Sequence, residues 1–511
     1  MGGVSIFLPL GRTFSTIGEI CESSQYGYTA KASAIGNVHY LRTTDITPGS
    51  INWGSVPFCD LSSGELDKYL LHDGDVVISR AGSVGYSFLL RNPQRSVFAS
   101  YLIRFRPCIN AEFFNYFLHT PTYWSAIGER SLGIAVQNVN ASTLSEIQLP
   151  IPPAAEQTRI VEKLEELLSD LDAGVAELKA AQKKLGQYRQ SLLKAAVGGM
   201  LTAEWRKSQK TKAGESGAKL LQRILRERRA RWEARQLAKF EAQGKVPPKD
   251  WQAKYPEPVA PDITGLPALP LGWVWASVDQ LSESVRNGIS KTPNNDGRGF
   301  PIFKINTVRS MAVNFAAIKN IELDESDAAD YWVEVGDVLA TRYNGSVDLL
   351  GVFGMVKTVP QRTLHPDKLI RMKPLLGVRL GAWMEVCGNV GVSRSHLVSR
   401  VKTTAGQTGI SGEDLKKTPI PLPPFAEQEV ALANLDDRLQ SIKELAVPAE
   451  LSLKQSAAQR KNILQAAFSG QLVPQDPADE PAGALLARIR AERAAREAGS
   501  ATGRGKKKVS T

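Results

Sequence analysis

Two long stretches of the chain carry apolar residues at alternating steps of three and four, the spacing of a helix with one apolar seam. Each stretch covers about 40 residues, or roughly 60 Å of helix, which one small domain cannot bury. We therefore expect the two helices to pack on each other; the alternatives are that each folds back on its own domain or pairs with a second chain. The seam positions are Val161, Leu164, Leu168, Leu171, Val175, Leu178, Leu185 and Leu192 in the first stretch, and Leu432, Leu435, Leu439, Ile442, Ala446, Ala449, Leu453 and Ile463 in the second.

Pro448 lies inside the second predicted helix. Proline has no N–H and costs about 3 kcal/mol in a helix interior. We expect the second helix to be kinked or broken at this residue.

The helices belong to a repeat that covers nearly the whole chain. The matched segments, in chain order, are 8–11 with 269–272, 40–42 with 302–304, 74–80 with 336–342, 102–107 with 369–374, 150–157 with 421–428, and 193–196 with 464–467. The offset rises from 261 to 267 along the first four pairs and then stays at 271. Loops accept insertions, whereas a helix whose length sets a distance does not. The repeat therefore consists of a loop-rich domain followed by a helix of fixed length.

Each loop-rich domain contains short β-rich runs, such as 75–79 and 338–341, separated by Gly, Pro and Asn turns. This pattern predicts an α+β fold. At 511 residues the chain is too long for one core, and about two to four domains are expected. Hydrophobic residues make up 42% and charged residues 23%, which excludes global disorder.

The formal net charge of +11 favours a polyanionic partner. The four cysteines lie far apart without a CxxC pair, and the five histidines have no metal-ligand spacing, so no metal site or disulfide framework is expected. The apolar runs are too short to span a membrane, and residues 1–10 lack the basic start of a signal peptide. We expect no membrane association and a reducing cytoplasm.

A basic segment separates the two copies. Residues 206–245 contain thirteen Lys and Arg and four acidic residues, and the run LLQRILRER at 220–228 is echoed by LLARIRAER at 485–493. We expect a helix that belongs to the repeat. Its charge suits DNA phosphates, an acidic partner surface, or simply a solvated face. From Gly499 to the end of the chain, which includes Lys506 to Lys508, we expect disorder.

Catalytic motifs are missing from the sequence. It contains no (Asn/Asp)-Pro-Pro-Tyr box for a flipped adenine, no strand-linked GxGxxG, no GxxxxGK(S/T) phosphate loop and no HExxH. The nearest fragment, Gly82-Ser83-Val84-Gly85, has no lysine and is better explained as a tight turn. We expect no catalytic site in this chain.

The order of these features resembles the specificity (S) subunits of type I restriction-modification systems. Two globular halves each lead through a PxPPxxEQ motif, at 150–157 and 421–428, into a long helix that ends in an LxAAxxGxL segment, at 193–201 and 464–472. Each motif alone is weak, but the ordered set occurs twice and spans nearly the whole chain.

The resemblance implies a pseudo-twofold duplicated α+β arrangement, with two target recognition domains separated by two long helices that form an antiparallel coiled coil. The implied segments are 1–149, the first target recognition domain; 150–203, the first spacer helix; 204–268, a basic helical linker; 269–420, the second domain; 421–474, the second spacer helix; and 475–511, a basic helical or disordered tail.

The resemblance also implies a non-catalytic, sequence-specific DNA-binding subunit of a host-defence system. Such a subunit reads a bipartite site in double-stranded DNA and positions two methylation subunits, which methylate adenine with S-adenosylmethionine, and restriction subunits, which use ATP and magnesium. No cofactor is expected in this chain. The alternatives are a coiled-coil scaffold for other proteins and the specificity subunit of a type II-like methyltransferase or nuclease.

Reading bases needs hydrogen-bonding side chains at base edges, and binding needs cations near phosphates. Arg80 and Arg342 follow the repeated Gly-Asp strands and suit guanine O6 and N7. Their repetition equally suits a scaffold role, because residues that read different half-sites should differ between the copies. The candidate DNA-binding residues are Arg42, Thr44, Arg80, Ser83, Gln137, Asn138, Lys304, Asn306, Arg342, Asn344, Ser346 and Gln407.

Further readers are expected in loops that differ between the copies, at 25–31, 91–96, 286–298 and 343–348. Gln137-Asn138 and Gln407 equally suit the capping of turns. The pairs Glu156-Gln157 and Glu427-Gln428 are expected to cap the long helices rather than to contact DNA.

Overall fold

The computed structural model describes residues 8–47, 49–131, 138–209, 214–404 and 407–505. Its packing divides the chain into two units: unit 1 is Met1–Ala180 with Ala449–Thr511, and unit 2 is Ala181–Pro448. Each of the two long helices has residues in both units.

The strands are β1 (Thr13–Thr16), β2 (Cys21–Tyr26), β3 (Val38–Leu41), β4 (Phe58–Cys59), β5 (Val76–Ser79), β6 (Ser87–Leu89), β7 (Ser96–Phe98), β8 (Leu102–Pro107) and β9 (Gln148–Ile151) in unit 1, and β10 (Val274–Ser277), β11 (Ser282–Asn287), β12 (Phe300–Phe303), β13 (Val308–Arg309), β14 (Ala312–Val313), β15 (Ile318–Ile321), β16 (Val338–Thr341), β17 (Phe353–Met355), β18 (Leu369–Pro374), β19 (Lys402–Thr404), β20 (Gln407–Gly409) and β21 (Pro419–Leu422) in unit 2.

The helices are α1 (Ile17–Ile20), α2 (Thr43–Ile46), α3 (Ser63–Tyr69), α4 (Ala111–Phe117), α5 (Pro121–Ser131), α6 (Ala141–Ser145), α7 (Ala154–Val197), α8 (Ala203–Ser208), α9 (Gly217–Ala242), α10 (Val278–Leu281), α11 (Glu325–Ala328), α12 (Val378–Asn389), α13 (Gly391–Ser399), α14 (Gly412–Lys416), α15 (Phe425–Ser469) and α16 (Ala482–Gly505).

The two domains share one sheet topology. The main sheet has the order β2-β8-β5-β6 in unit 1 and β11-β18-β16-β17 in unit 2, and every pairing in both sheets is antiparallel. The first strand of each sheet carries a bulge at the same place, between Cys21 and Ser24 and between Ser282 and Ser284. The repeat is therefore a duplication of topology, and the predicted α+β class is confirmed.

The domains differ in their smaller sheets. Unit 1 has a three-stranded sheet, β4-β3-β7, in which β3 and β7 are parallel, whereas unit 2 has the separate pairs β12-β15 and β13-β14. The offset is 262 both before and after β13, β14 and β15, so these strands arise without a net change in chain length. The increase to 267 falls later, between β5 and β8 in unit 1 and between β16 and β18 in unit 2.

The basic helix of each copy packs on the domain core, as the repeat predicts. Leu220 and Ile224 of α9 belong to the core of unit 2, and Ala482, Leu486 and Ile489 of α16 belong to the core of unit 1. α16 is the last helix of the chain, yet it takes the place in unit 1 that α9 takes in unit 2. It extends to Gly505, beyond Gly499 where disorder was expected, and residues 506–511 lie outside the described residues.

Equivalent arginines fasten α9 and α16 to their domains. Arg228 donates to the carbonyl of Ser282, and Arg493 donates to the carbonyl of Cys21. One turn further along, Arg231 pairs with Glu283 and Arg496 pairs with Glu22. The same contacts recur at equivalent positions, which confirms that these helices belong to the repeat.

The long helices pack on each other in each unit. In unit 1, Ile160, Leu164 and Leu168 of α7 cluster with Leu464 and Ala467 of α15. In unit 2, Leu192 and Leu193 of α7 cluster with Leu435 and Ile442 of α15. The start of α7 thus packs on the end of α15, and the end of α7 packs on the start of α15. The predicted intramolecular, antiparallel pairing is confirmed. All the predicted seam positions are buried or half-buried.

Pro448 lies inside the continuous helix α15, so the helix is not broken there, and the alternative expectation of a kink stays a prediction. Proline removes one N–H and leaves the carbonyl four residues earlier, that of Glu444, without a helical donor. Glu444 is exposed, so solvent can satisfy this carbonyl. Packing along both flanks of Pro448 is expected to outweigh a cost of about 3 kcal/mol.

A buried arginine-glutamate pair joins the domain of unit 1 to both long helices. Arg12, immediately before β1, binds Glu156 in the first turn of α7 at 2.7 Å, and neither side chain is more than 1% exposed. The same guanidinium donates to the carbonyls of Ala467 and Phe468 at the end of α15, at 3.3 and 3.2 Å. We call this contact the unit 1 junction.

Unit 2 builds the equivalent junction from other residues. Glu427, in the first turn of α15, is bound by Arg206, by the hydroxyl of Thr202 at 2.6 Å and by Nε1 of Trp273 at 2.9 Å. Arg206 also donates to the carbonyl of Gly199, just after the end of α7, at 2.6 Å. Glu156 and Glu427 therefore each bind an arginine that also contacts the end of the partner helix. The predicted capping by these glutamates stays a prediction.

Replacing Glu156 with Gln leaves Arg12 buried without its counter-charge, which should lower the free energy of unfolding by about 3–5 kcal/mol. Glu166→Gln is the matched control, because Glu166 lies on the same helix in an exposed pair with Lys163 worth less than about 1 kcal/mol. Urea and thermal unfolding of the full chain measure both. Equal effects of the two variants would show that the junction does not hold unit 1 together.

Candidate nucleic-acid interface

One end of each main sheet gathers candidate DNA-binding residues, six of the twelve in all. In unit 1, the end of β2, the end of β5 and the start of β8 meet there, because Tyr26 pairs with Ile103 and Ser79 pairs with Leu102. The register of β11, β16 and β18 produces the same end in unit 2. We call it the arginine edge, consisting of residues 26–28, 79–83, 98–102 and 138–139 in unit 1 and 287–289, 341–346, 365–369 and 408–410 in unit 2.

Each arginine edge holds an arginine over a tyrosine ring. Arg80 lies 4.8 Å from the ring centroid of Tyr26, and its Nε donates to Oδ1 of Asn138 at 3.3 Å. Arg342 lies 4.7 Å from the ring centroid of Tyr343. A ring beneath a guanidinium restrains its plane and leaves N–H groups at its rim for a ligand. The tyrosines come from different places, β2 in unit 1 and the turn after β16 in unit 2.

A turn beside each arginine is fixed by backbone hydrogen bonds. We call it the clamped turn, residues 98–102 in unit 1 and 365–369 in unit 2. The bonds in unit 1 are Arg80 N to Tyr101 O (2.9 Å), Gly27 N to Leu102 O (3.1 Å), Tyr28 N to Phe98 O (2.8 Å) and Leu102 N to Ala99 O (2.8 Å). Those in unit 2 are Arg342 N to Lys368 O (2.8 Å), Gly288 N to Leu369 O (3.3 Å), Ile289 N to His365 O (3.1 Å) and Leu369 N to Pro366 O (2.9 Å). Both copies use one backbone pattern.

The clamp needs a glycine in each copy. A Cβ on Gly27 would collide with the carbonyls of Phe98 and Ala99, and a Cβ on Gly288 would collide with those of His365 and Pro366. Only glycine permits so close an approach of two backbone segments.

Arg42 and Thr44 lie beside the unit 1 edge, because the neighbouring Thr43 hydroxyl accepts a hydrogen bond from Ser79 at 3.4 Å. The guanidinium of Arg42 is bound to Asp45 at 2.9 Å, and this hydrogen bond raises the pKa of Arg42. Arg42 is therefore already paired within its own domain, while Thr44 is exposed.

In unit 2, Lys304 and Asn306 are exposed at the 3-10 turn Ile305–Thr307. Oδ1 of Asn344 accepts from the backbone N–H of Ser346 at 3.0 Å, so Asn344 caps its own turn and Ser346 stays exposed.

Ser83 is half-buried in the turn after β5, where its carbonyl accepts from the N–H of Tyr86 at 3.2 Å. Gly82 and Gly85 have φ of +79° and +84°, consistent with the predicted tight turn. Gln137 lies outside the described residues. Gln407 begins β20, but its side chain also lies outside what the structure describes.

The basic segment is remote from the arginine edge within unit 2. α9 contacts the start of β11 through Arg228, whereas Arg342 follows the far end of the sheet. Its arginines are also largely paired inside the unit: Arg223 with Glu215, Arg229 with Glu233, Arg231 with Glu227 and Glu283, and Arg235 with Glu283. This favours a domain-binding, solvated helix over a phosphate-binding one.

Asp75 and Asp337 of the Gly-Asp motifs lie at the same remote end. Each accepts a backbone hydrogen bond three residues back, from His72 at 2.9 Å and from Glu334 at 2.8 Å. Burial raises the pKa of Asp337 to about 6. These aspartates hold the turns before β5 and β16.

Two residues of the arginine edge, Tyr101 and Lys368, were not predicted from the sequence, whereas Tyr26 lies in the predicted loop 25–31. Tyr101 is 62% exposed, and Lys368 lies 5.0 Å from the ring centroid of Tyr343. A signal was present, because Tyr101 and Lys368 directly precede the matched segments 102–107 and 369–374.

Among the residues that the structure describes, no group of three or more His, Cys, Asp or Glu side chains is arranged to hold a metal ion. None of the described helices combines the length and the apolar character needed to cross a bilayer.

Comparison with known proteins shows what the chain is similar to. Residues 9–180 match the family model described as the type I restriction modification DNA specificity domain. The chain is 29% identical over 473 residues to the type I restriction enzyme EcoKI specificity subunit of Escherichia coli K12, covering 89% of this chain and 88% of the relative. It is 24% identical over 467 residues to the StySPI specificity subunit of Salmonella potsdam, with the same two shares, 89% and 88%.

A solved structure from a study of type I R-M complex assembly and conformational transition shares the fold. Its TM-score is 0.57 at 16% identity, covering 91% of this chain and 99% of that chain. Over nearly its whole length the chain is similar to the specificity subunits of type I restriction enzymes, and the resemblance inferred from its motifs is confirmed.

Gly288→Ala should destabilise unit 2 by about 1–3 kcal/mol, because the added methyl group forces the clamped turn away. Gly345→Ala is the control, since a Cβ at Gly345 in the same edge meets open space; it should change stability by less than about 0.5 kcal/mol. Thermal unfolding compares the two. A Gly288→Ala variant as stable as the control would show that the clamp is not tight.

Proposed function

We propose that this chain is the non-catalytic DNA-reading subunit of a type I restriction-modification complex, and that each unit carries one target recognition domain for one part of a bipartite site. The observation that carries this proposal is the arginine edge, built once in each unit on the same backbone pattern with different side chains around it. A bipartite reader needs two such surfaces.

The chemistry of the edge suits DNA. Phosphate neutralisation supplies affinity and base-edge hydrogen bonds supply specificity. Arg80 and Arg342 offer preoriented cations, exposed Lys304 offers another, and the chain carries a net charge of +11. Of the predicted residues, Arg80, Ser83, Asn138, Arg342, Asn344 and Ser346 lie on the edges, whereas Arg42, Thr44, Lys304 and Asn306 are proposed as flanking contacts.

Catalysis is assigned to partner subunits. The relatives are named specificity subunits of type I restriction enzymes, which supports assembly with the other subunits of such a complex. We propose two methylation subunits, which would use S-adenosylmethionine, and restriction subunits, which would use ATP and magnesium, all acting in the cytoplasm. No cofactor is assigned to this chain.

The paired helices are proposed to act as the spacer between the two parts of the target. Supporting this, α7 and α15 each have residues in both units, and the sequence offset between them stays at 271 without a gap.

The test is to exchange one domain. Replacing residues 17–147 with the equivalent segment of another family member, which leaves the unit 1 junction intact, should change one part of the recognised site and leave the other part unaltered. The matched variant replaces residues 278–418 and should change the other part. Sequencing of duplexes selected from a random library by the assembled complex measures both.

A change in both parts from one replacement would contradict modular reading. Equal binding of every sequence by the unaltered complex would contradict the proposed function itself and favour the coiled-coil scaffold.

A further inference from the structure

We propose that Tyr101 in unit 1 and Lys368 in unit 2 are specificity-determining residues, each presented to a base edge by its clamped turn. This inference rests on the proposed function and names the side chains that distinguish the two half-sites.

The clamped turn has one backbone and two sets of side chains. The residues between the hydrogen-bonded ends of the turn are Ser100 and Tyr101 in unit 1, and Asp367 and Lys368 in unit 2. Two segments bind the turn in each unit. The residue after the neighbouring strand does so through its backbone N–H, Arg80 in unit 1 and Arg342 in unit 2, and the residue after the first strand does so likewise, Gly27 in unit 1 and Gly288 in unit 2. A rigid support that carries different side chains is what reading two different half-sites requires.

Both side chains are accessible. Tyr101 is 62% exposed, and the side chain of Lys368 is 38% exposed. Lys368 pairs with Asp367 at 3.4 Å and lies over the ring of Tyr343. An exposed ion pair contributes little, so the ammonium can exchange Asp367 for a base at small cost.

The two residues suit different base edges. A lysine ammonium donates hydrogen bonds only, which matches the O6 and N7 acceptors of guanine. A tyrosine presents an apolar ring that suits the thymine methyl group, with a hydroxyl that both donates and accepts. The clamped turns therefore assign guanine to Lys368 and an A·T pair to Tyr101.

The repeated arginines take a different role. Arg80 and Arg342 are the same residue in both copies, and the backbone N–H of each holds the neighbouring clamped turn. Identical side chains cannot by themselves distinguish different half-sites, so we assign them to positioning on the DNA backbone.

The experiment exchanges the turn residues in the full-length chain, isolated with its associated subunits. One variant carries Ser100→Asp with Tyr101→Lys, and the other carries Asp367→Ser with Lys368→Tyr. The control is Lys373→Tyr, since Lys373 is similarly exposed at the remote end of the unit 2 sheet. Selection from a random duplex library gives the preferred sequence, and titration of the original target gives the affinity.

Each exchange should alter the preference at one or two adjacent base pairs in one half-site only, and should weaken binding to the original target roughly tenfold to a hundredfold. Lys373→Tyr should leave the preferred sequence unchanged. Thermal unfolding should differ little among the variants, because none of the exchanged residues is buried.

An unchanged preference with either exchange would overturn the inference. Uniform weakening on every sequence would also overturn it, because Tyr101 and Lys368 would then be phosphate contacts. If the unaltered complex itself shows no sequence preference, the proposed function fails and this inference fails with it.

Discussion

The structure depends on an arginine that meets a buried glutamate at the start of each long helix. In unit 1 the guanidinium of the buried Arg12 also binds two carbonyls at the end of the other helix. In unit 2 the half-buried Arg206 binds the carbonyl of Gly199, just after the end of the other helix. Burying such a pair is costly unless the geometry satisfies both partners. The arginine precedes β1 in one unit and lies in α8 in the other, so the two copies share the contact rather than the residue that supplies it. In each unit this arginine-glutamate contact holds the domain against the pair of long helices.

This rigid attachment of domain to helices allows the arginine edge to hold its side chains at defined positions. A domain that moved freely on its helices could present no side chain at a defined distance from a second reading surface. Within each unit, the junction fixes the helices, the main sheet carries the edge, and the clamped turn projects from it. In the proposed division of roles, the backbone pattern that both copies share positions the protein on DNA. The turn residues that differ between the copies select the sequence.

The helices and the duplication could be predicted because they are periodic features of the sequence. The seam from Val161 to Leu192 and the constant offset follow directly from residue spacing. The break at Pro448 was wrongly predicted because the local cost of proline, about 3 kcal/mol, competes with packing along a 45-residue helix. The sequence around Pro448 does not reveal that packing. Arg206 and Glu427 are far apart in sequence, and Tyr26 and Tyr343 reach equivalent arginines from different elements, so no local pattern predicts either contact. The roles of the candidate DNA-binding residues stay predictions.

Helix length provides the most direct measurement. Inserting seven residues into both α7 and α15, which preserves the seam, lengthens each helix by about 10 Å, or about three base pairs of DNA. The assembled complex should then select the same bases in both half-sites, with a gap about three base pairs longer. An unchanged gap, with both half-sites still read, would contradict the spacer role of the helices.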